Sequence, residues 1–157
     1  MKNLLKKILA ARQLQEGVAW HRRNYDAGTV IVKKGDIGES LFYIETGVLR
    51  VTGDVQVKNQ KTIQAGVCDL ESGSIFGEIC LHQSQIRTAT VTAASDVELL
   101  EIEGAAFSVY LDDNPVLGYL FYKNLFEIMI NRLGMANRRI ENLTAWGLKV
   151  RGVDSDF

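Results

Sequence analysis

At 157 residues, with 46% hydrophobic and 24% charged side chains, the chain can hold one domain with a real core and has an ordinary globular composition. A formal net charge of -1 excludes a global basic field that would draw it to nucleic acid. No apolar run approaches the roughly 18 residues of a membrane span, and two cysteines are too few for an iron–sulfur cluster and point to a reducing, cytoplasmic compartment.

Residues 1–24 predict a helical lead-in. The segment MKNLLKKILAARQLQEG is too broken for a secretory leader and fits a short amphipathic helix. Lys2, Lys6 and Lys7 give it a membrane-surface alternative, which we do not favour. Between positions 25 and 102 the punctuation changes. Glycines 28, 35, 38, 47, 53, 66, 73 and 77 separate β-rich runs at 29–32, 41–44, 48–52, 55–57, 90–92 and 97–102. Short strands with regular turn signals predict an all-β sandwich or barrel. Gly53-Asp54 and Ser95-Asp96 read as hairpin tips. Asn114-Pro115 reads as a helix start, with Asn114 as the cap and Pro115 at the first helical position.

The helix that follows has its own pattern. Tyr119, Tyr122, Phe126, Met129, Leu133, Ala136, Ile140 and Leu143 alternate steps of 3 and 4, an uninterrupted a/d seam. A helix over 115–143 is about 43 Å long, beyond the diameter of a small domain. The pattern therefore predicts a parallel homodimer; packing on the chain's own β-roll is the alternative. Gly134 weakens the helix by ~1 kcal/mol relative to alanine and leaves room for a close approach.

The stretch FGEICLHQSQIRTATVTA, positions 76–93, carries the chemistry. Its Gly77-Glu78 pair precedes Arg87-Thr88-Ala89 by nine residues, 87 − 78 = 9. Glycine lets backbone approach a ligand closely, and consecutive amides can form an anion-binding nest. Arginine offers a planar fork of donors suited to phosphate. The carboxylate accepts from sugar hydroxyls. One short segment thus holds receptors for both halves of a sugar phosphate.

At these residues the chain resembles the cyclic-nucleotide-binding domain family, which includes catabolite activators, regulatory subunits of cyclic-AMP-dependent kinase and cyclic-nucleotide-gated channels. Phe76, Gly77, Glu78, Ile79, Cys80 and Leu81 fit the first half of its phosphate-binding cassette, and Arg87, Thr88 and Ala89 the second. One departure is Ile86, where many members have proline, so the loop entering Arg87 lacks that rigidity. YDAGTVIVKKGDIGESLFYIETGVLRV resembles the opening strands of the fold, and the match extends over about residues 25–143. The resemblance implies a mainly β fold with flanking helices. It is a β-roll (a double-stranded β-helix, jelly-roll-like) with an N-terminal helix, a short cassette helix and a long C-terminal dimerisation helix. The division expected is a lead-in at 1–24, the roll at 25–111, hinge and long helix at 112–146 and a tail at 147–157.

The same resemblance implies roles. Arg87 pairs with the cyclic phosphate and Glu78 accepts from the ribose 2′-hydroxyl. The amides of Ile79, Cys80 and Ala89 point at phosphate oxygens, and Thr88 donates to phosphate or base. Ala136 and Asn137 stand where catabolite activators carry a base-contacting hydroxyl pair; Asn137 can donate and accept, so it can address either purine. The ligand implied is cyclic AMP or cyclic GMP. Its binding would move the long helix about a hinge at 109–115 and signal to a downstream effector protein that the sequence does not identify. The fourteen residues after Leu143 are too few for a helix-turn-helix domain, so the chain reads as a stand-alone sensor or a sensor module.

Competing readings are weaker. A ligand-free dimerisation or docking module rests on Ile86 alone. An internal Arg87–Glu78 ion pair accounts for those two residues but not for the frame around them. Cys80-Leu81-His82 has the Cys-x-His spacing of haem sensors yet lies inside an intact cassette. His21 and His82 are too few and too far apart for a metalloenzyme of similar roll. No nucleophile–base set appears, so no catalytic residue is assigned. Arg132, Arg138 and Arg139 read as a solvated helix face rather than a nucleic-acid surface.

Overall fold

The computed structural model describes residues 1–57, 61–82 and 86–150. Among these, eight strands form two four-stranded antiparallel sheets. The first has the order β1-β8-β3-β6, built from Trp20–Tyr25, Val97–Glu103, Ser40–Thr46 and Ile75–Phe76. The second has the order β2-β7-β4-β5, built from Val30–Val32, Thr90–Ala93, Val48–Val57 and Lys61–Glu71. Helix α1 is Lys2–Leu9, α2 is Gly104–Asp113 and α3 is Pro115–Val150; Glu78–Leu81 forms one 3₁₀ turn. This is the mainly β roll with flanking helices that the sequence led us to expect.

Strand alternation explains where the core lies. Phe42, Ile44, Val97 and Leu99 of the first sheet join Leu49, Leu70, Val91 and Ala93 of the second in one buried cluster. The alternate residues Leu41, Tyr43, Leu100 and Ile102 are buried as well. Leu5 and Ile8 of α1 and Phe107 and Leu111 of α2 are buried too, and α2 packs against β8. Burial on both faces is why LFYI and LLEI read as near-continuous apolar runs. It also settles α1. Its apolar residues Leu5, Ile8 and Leu9 are used inside the fold and are not offered to a membrane surface. No helix among the described residues is long and apolar enough to cross a membrane.

Four expectations change. The helical lead-in ends at Leu9, and Trp20–Tyr25 is a strand in full register with β8, from Trp20↔Ile102 to Tyr25↔Val97. Gly53-Asp54 is not a hairpin tip: β4 runs through it, pairing Gly53 with Ala65 and Asp54 with Gln64. The β4–β5 connection, 58–60, lies outside the described residues. The segment before Asn114 forms a separate helix, α2. Asn114 closes it, its Nδ2 donating to Tyr110 O at 2.9 Å, while α3 begins at Pro115 as read and Gly118 N–H donates to Asn114 O at 2.9 Å. Finally, α3 passes the expected end at Leu143 and reaches Val150, with Ala145, Leu148 and Lys149 as good helix formers and no proline to stop it. The last seven residues of the expected tail lie outside the described residues. The Ser95-Asp96 turn stands as read, between β7 and β8.

Two compact units make up the chain, Met1–Gly118 and Tyr119–Phe157. In the first, α2 meets the opening turn of α3 closely: a Cβ at Gly118 would stand 2.6 Å from Leu111 O. In the second, the helix shows an apolar stripe. Tyr119, Tyr122, Phe126, Leu133, Ile140 and Leu143 are all exposed.

Candidate functional site

The turn after β6 builds one half of the site. Phe76 is buried and stacks on Phe42, with centroids 4.8 Å apart and planes 11° from parallel. Gly77 then turns the chain with φ 75 and ψ 11, a left-handed conformation that favours glycine. The 3₁₀ turn closes through Cys80 N–H to Gly77 O at 3.2 Å and His82 N–H to Ile79 O at 2.9 Å. The Cys80 amide is therefore engaged within the turn, where the sequence reading aimed it at a phosphate. Glu78, Ile79 and Cys80 are half-buried on this turn.

Arg87 builds the other half. Its backbone is clamped on both sides: its N–H donates to Asp36 O and its carbonyl accepts from Gly35 N–H, each at 2.8 Å. Ile86 forms an antiparallel bridge with Ile37. These cross-loop bonds fix the approach to Arg87 without the missing proline. The residue is 9% exposed. Nη2 donates to Ser40 O at 2.8 Å and Nη1 to Gly77 O at 3.3 Å. Cζ lies 5.6 Å from the Phe42 ring centroid, within cation–π range. The two carbonyl bonds use two of the five N–H groups that a guanidinium carries.

Electrostatics agree with that geometry. Burial lowers the Arg87 pKa below the ordinary arginine value, against the opposing pull of Cys80, Glu78 and Glu101. Such a cation gains from an incoming anion. Burial also pushes the Cys80 thiol up to about 11, although Arg87 works the other way. Cys80 thus packs as a neutral thiol. Its sulfur abuts the start of α2, since a Cβ at Gly104 would stand 2.8 Å from Sγ.

The fold therefore brings Phe76, Gly77, Glu78, Cys80 and Arg87 together. Thr88, exposed, and Ala89, half-buried, lead from Arg87 into β7. Asn137 is exposed on α3 in the second compact unit. Residues that sequence reasoning did not single out complete the setting: Ser40 and Asp36 through carbonyls, Gly35 through its amide, and Phe42 through its ring. Gly35-Asp36 was visible only within the segment resembling the opening strands, and Phe42 only as a strand residue.

The sequence signature of the family described as the cyclic nucleotide-binding domain matches residues 22–114, from β1 to the end of α2. The chain belongs to this family. Relatives of the domain sit in different whole proteins. A cyclic nucleotide-gated potassium channel of Mesorhizobium japonicum is 31% identical over 109 residues, covering 69% of this chain and 28% of the channel. A cAMP-dependent protein kinase regulatory subunit of Schizosaccharomyces pombe is 33% identical over 117 residues, covering 72% of this chain and 24% of that protein. The chain thus spans about a quarter of the length of these curated relatives. The c-di-GMP-responsive global regulator of Xanthomonas campestris shares the fold with a TM-score of 0.72 at 20% identity, covering 92% of this chain and 65% of that one.

Proposed function

We propose that this cyclic-nucleotide-binding domain is a non-catalytic sensor of cyclic AMP or cyclic GMP that works in the cytoplasm. The observation that carries the reading is Arg87: a nine-tenths-buried cation on a loop clamped by backbone bonds, beside the glycine that opens the cassette turn. In this reading the guanidinium pairs with the cyclic phosphate and Glu78 accepts from the ribose hydroxyl. Ile79 and Ala89 amides and the Thr88 hydroxyl complete the phosphate cradle, and Asn137 addresses the base. The kinase regulatory subunit and channel among the relatives support a purine cyclic mononucleotide.

Signal leaves the cassette through α2. Cys80 abuts Gly104 at the start of α2, and Asn114 joins that helix to α3. Ligand binding would order the cassette turn and shift this hinge, moving the long helix as a two-state element. The exposed a/d stripe of α3 suits a parallel homodimer, and the moving helix then reports to an effector protein.

Titration calorimetry with cyclic AMP and cyclic GMP separately tests binding. Heat from at least one is expected; none from either at millimolar concentration rejects the sensor and leaves a ligand-free dimerisation module. Amide exchange along 115–143 should change on saturation, and identical protection with and without nucleotide rejects the coupling.

A further inference from the structure

Gly38 lies between β2 and β3, and its φ is outside the left-handed region. No backbone conformation demands glycine there. Space does. The three atoms nearest to an added Cβ are Nε, Cζ and Nη2 of Arg87, all at overlapping distance. On the cassette segment, a Cβ added at Gly77 would stand 2.6 Å from Nη1 of the same guanidinium. The guanidinium therefore rests in a slot with a glycine from each of two segments. Phe42 faces it at 5.6 Å, and the Ser40 and Gly77 carbonyls pin it.

We propose that Gly38 is a positioning residue for the anion site: its missing side chain admits the Arg87 guanidinium to the slot that sets the direction of its remaining donors. The proposal rests on Arg87 receiving the cyclic phosphate, as read above. An arginine held in one orientation before the ligand arrives loses less freedom on binding than one that must be ordered by it. The atoms that a Gly38 methyl would displace belong to the end of a flexible side chain, with no backbone atom among the nearest three. A cavity of about 610 Å³, lined in part by Val30, Val32, Gly38, Phe42, Arg87 and Glu101, adjoins that side chain and gives it somewhere to go. A methyl group at 38 should therefore spoil the aim of Arg87 more than the fold.

The test compares the wild type, Gly38→Ala, Arg87→Ala and the double variant. Thermal unfolding needs no nucleotide. With Arg87 present, Gly38→Ala should leave Tm unchanged or lower it. In the Arg87→Ala background the same change should raise Tm by about 1–4 °C, the ordinary effect of replacing glycine where alanine fits. An equal rise in both backgrounds overturns the proposal. If Gly38→Ala alone fails to fold, recovery in the double variant supports it and failure of both overturns it. Calorimetry with cyclic AMP and cyclic GMP forms the second arm: Gly38→Ala should weaken binding at least about tenfold, the scale of a displaced charged hydrogen bond. Unchanged affinity overturns the positioning role. A wild type that binds neither nucleotide overturns the sensor reading and any role at an anion site, while the Tm comparison still decides whether Gly38 makes room for Arg87.

Discussion

In Met1–Gly118, Leu41, Ile44, Leu49, Ile75, Leu99 and Ile102 are each 0% exposed. Along 119–150, Tyr119, Phe126, Leu133, Ile140 and Leu143 lie between 62% and 67% exposed. Both regions announce themselves by hydrophobic patterning. In the roll the apolar runs of β3 and β8 are buried on both faces within the chain itself, so the pattern specifies a fold. In the helix the a/d stripe stays exposed, which is the pattern that the proposed homodimer would use. The difference separates apolar residues that one molecule uses in order to fold from apolar residues that it leaves on its surface.

The comparison breaks most visibly at Arg87. Arg87→Ala should abolish measurable nucleotide binding, a loss above about 1000-fold or ~4 kcal/mol, because it strands a phosphate without its counter-charge. The roll should survive, with Tm lowered by only a few degrees, since Ser40 lines the adjoining cavity and removal of the Arg87 side chain, which lines it too, opens room for water beside the carbonyls left behind. Calorimetry beside circular dichroism checks both parts, and affinity within threefold of wild type sinks the assignment. Leu133→Asp should act the other way round, leaving nucleotide affinity and fold alone while weakening self-association about 100-fold. That figure takes ~1.5 kcal/mol for each of the two leucines removed from a dimer. Sedimentation velocity over a concentration series reads it; a wild type that stays monomeric at 100 μM or more removes the dimer from the account.

The cassette was legible because its chemistry is local. Phe76-Gly77-Glu78 and Arg87-Thr88-Ala89 each stand out as a motif within three residues, and the fold joins the two halves through Gly77 O and Nη1. The strand β1 was not legible because its reason lies far along the chain. WHRRNY looks like a charged helix surface until β8 supplies Glu101 to Arg23, a 2.8 Å ion pair between residues 78 apart. Gly53-Asp54 misled for a similar reason: turn chemistry is a weak local preference, and pairing with Gln64 and Ala65 overrode it. Ser40 and Gly38 became readable only once Arg87 reached across to them; the Ser40 bond spans 47 residues. No spacing rule within one segment encodes such a meeting. The second helix was hidden differently. Phe107, Tyr110 and Leu111 keep helical spacing, but the surrounding Ala, Val and Gly offer no strong polar face to contrast with them.

Glu78 sharpens the same comparison at smaller amplitude. Glu78→Ala should cost ~1.5–3 kcal/mol of nucleotide affinity, about 10- to 150-fold, the range for a hydrogen bond to a charged group. The ribose role predicts a narrower result. A 2′-deoxy cyclic nucleotide should bind wild type and Glu78→Ala almost equally, and a full difference between the proteins with that ligand would place Glu78 elsewhere.

The smallest effect concerns the thiol beneath the cassette. Burial raises the Cys80 pKa from 9.0 to about 11, so the folded state holds this proton more tightly than the unfolded chain. Its contribution to stability is then whole below pH 9 and declines as pH rises towards 11, where the unfolded chain gives up its proton first. Tyr25 and Tyr43, both also raised by burial, add to the same decline, so the slope of Tm against pH in wild type alone cannot isolate the cysteine. The difference from Cys80→Ala can. Wild type should lose Tm more steeply than the variant between pH 9 and 11, whereas parallel slopes would mean that the sulfur is wetter than its seat against Gly104 implies.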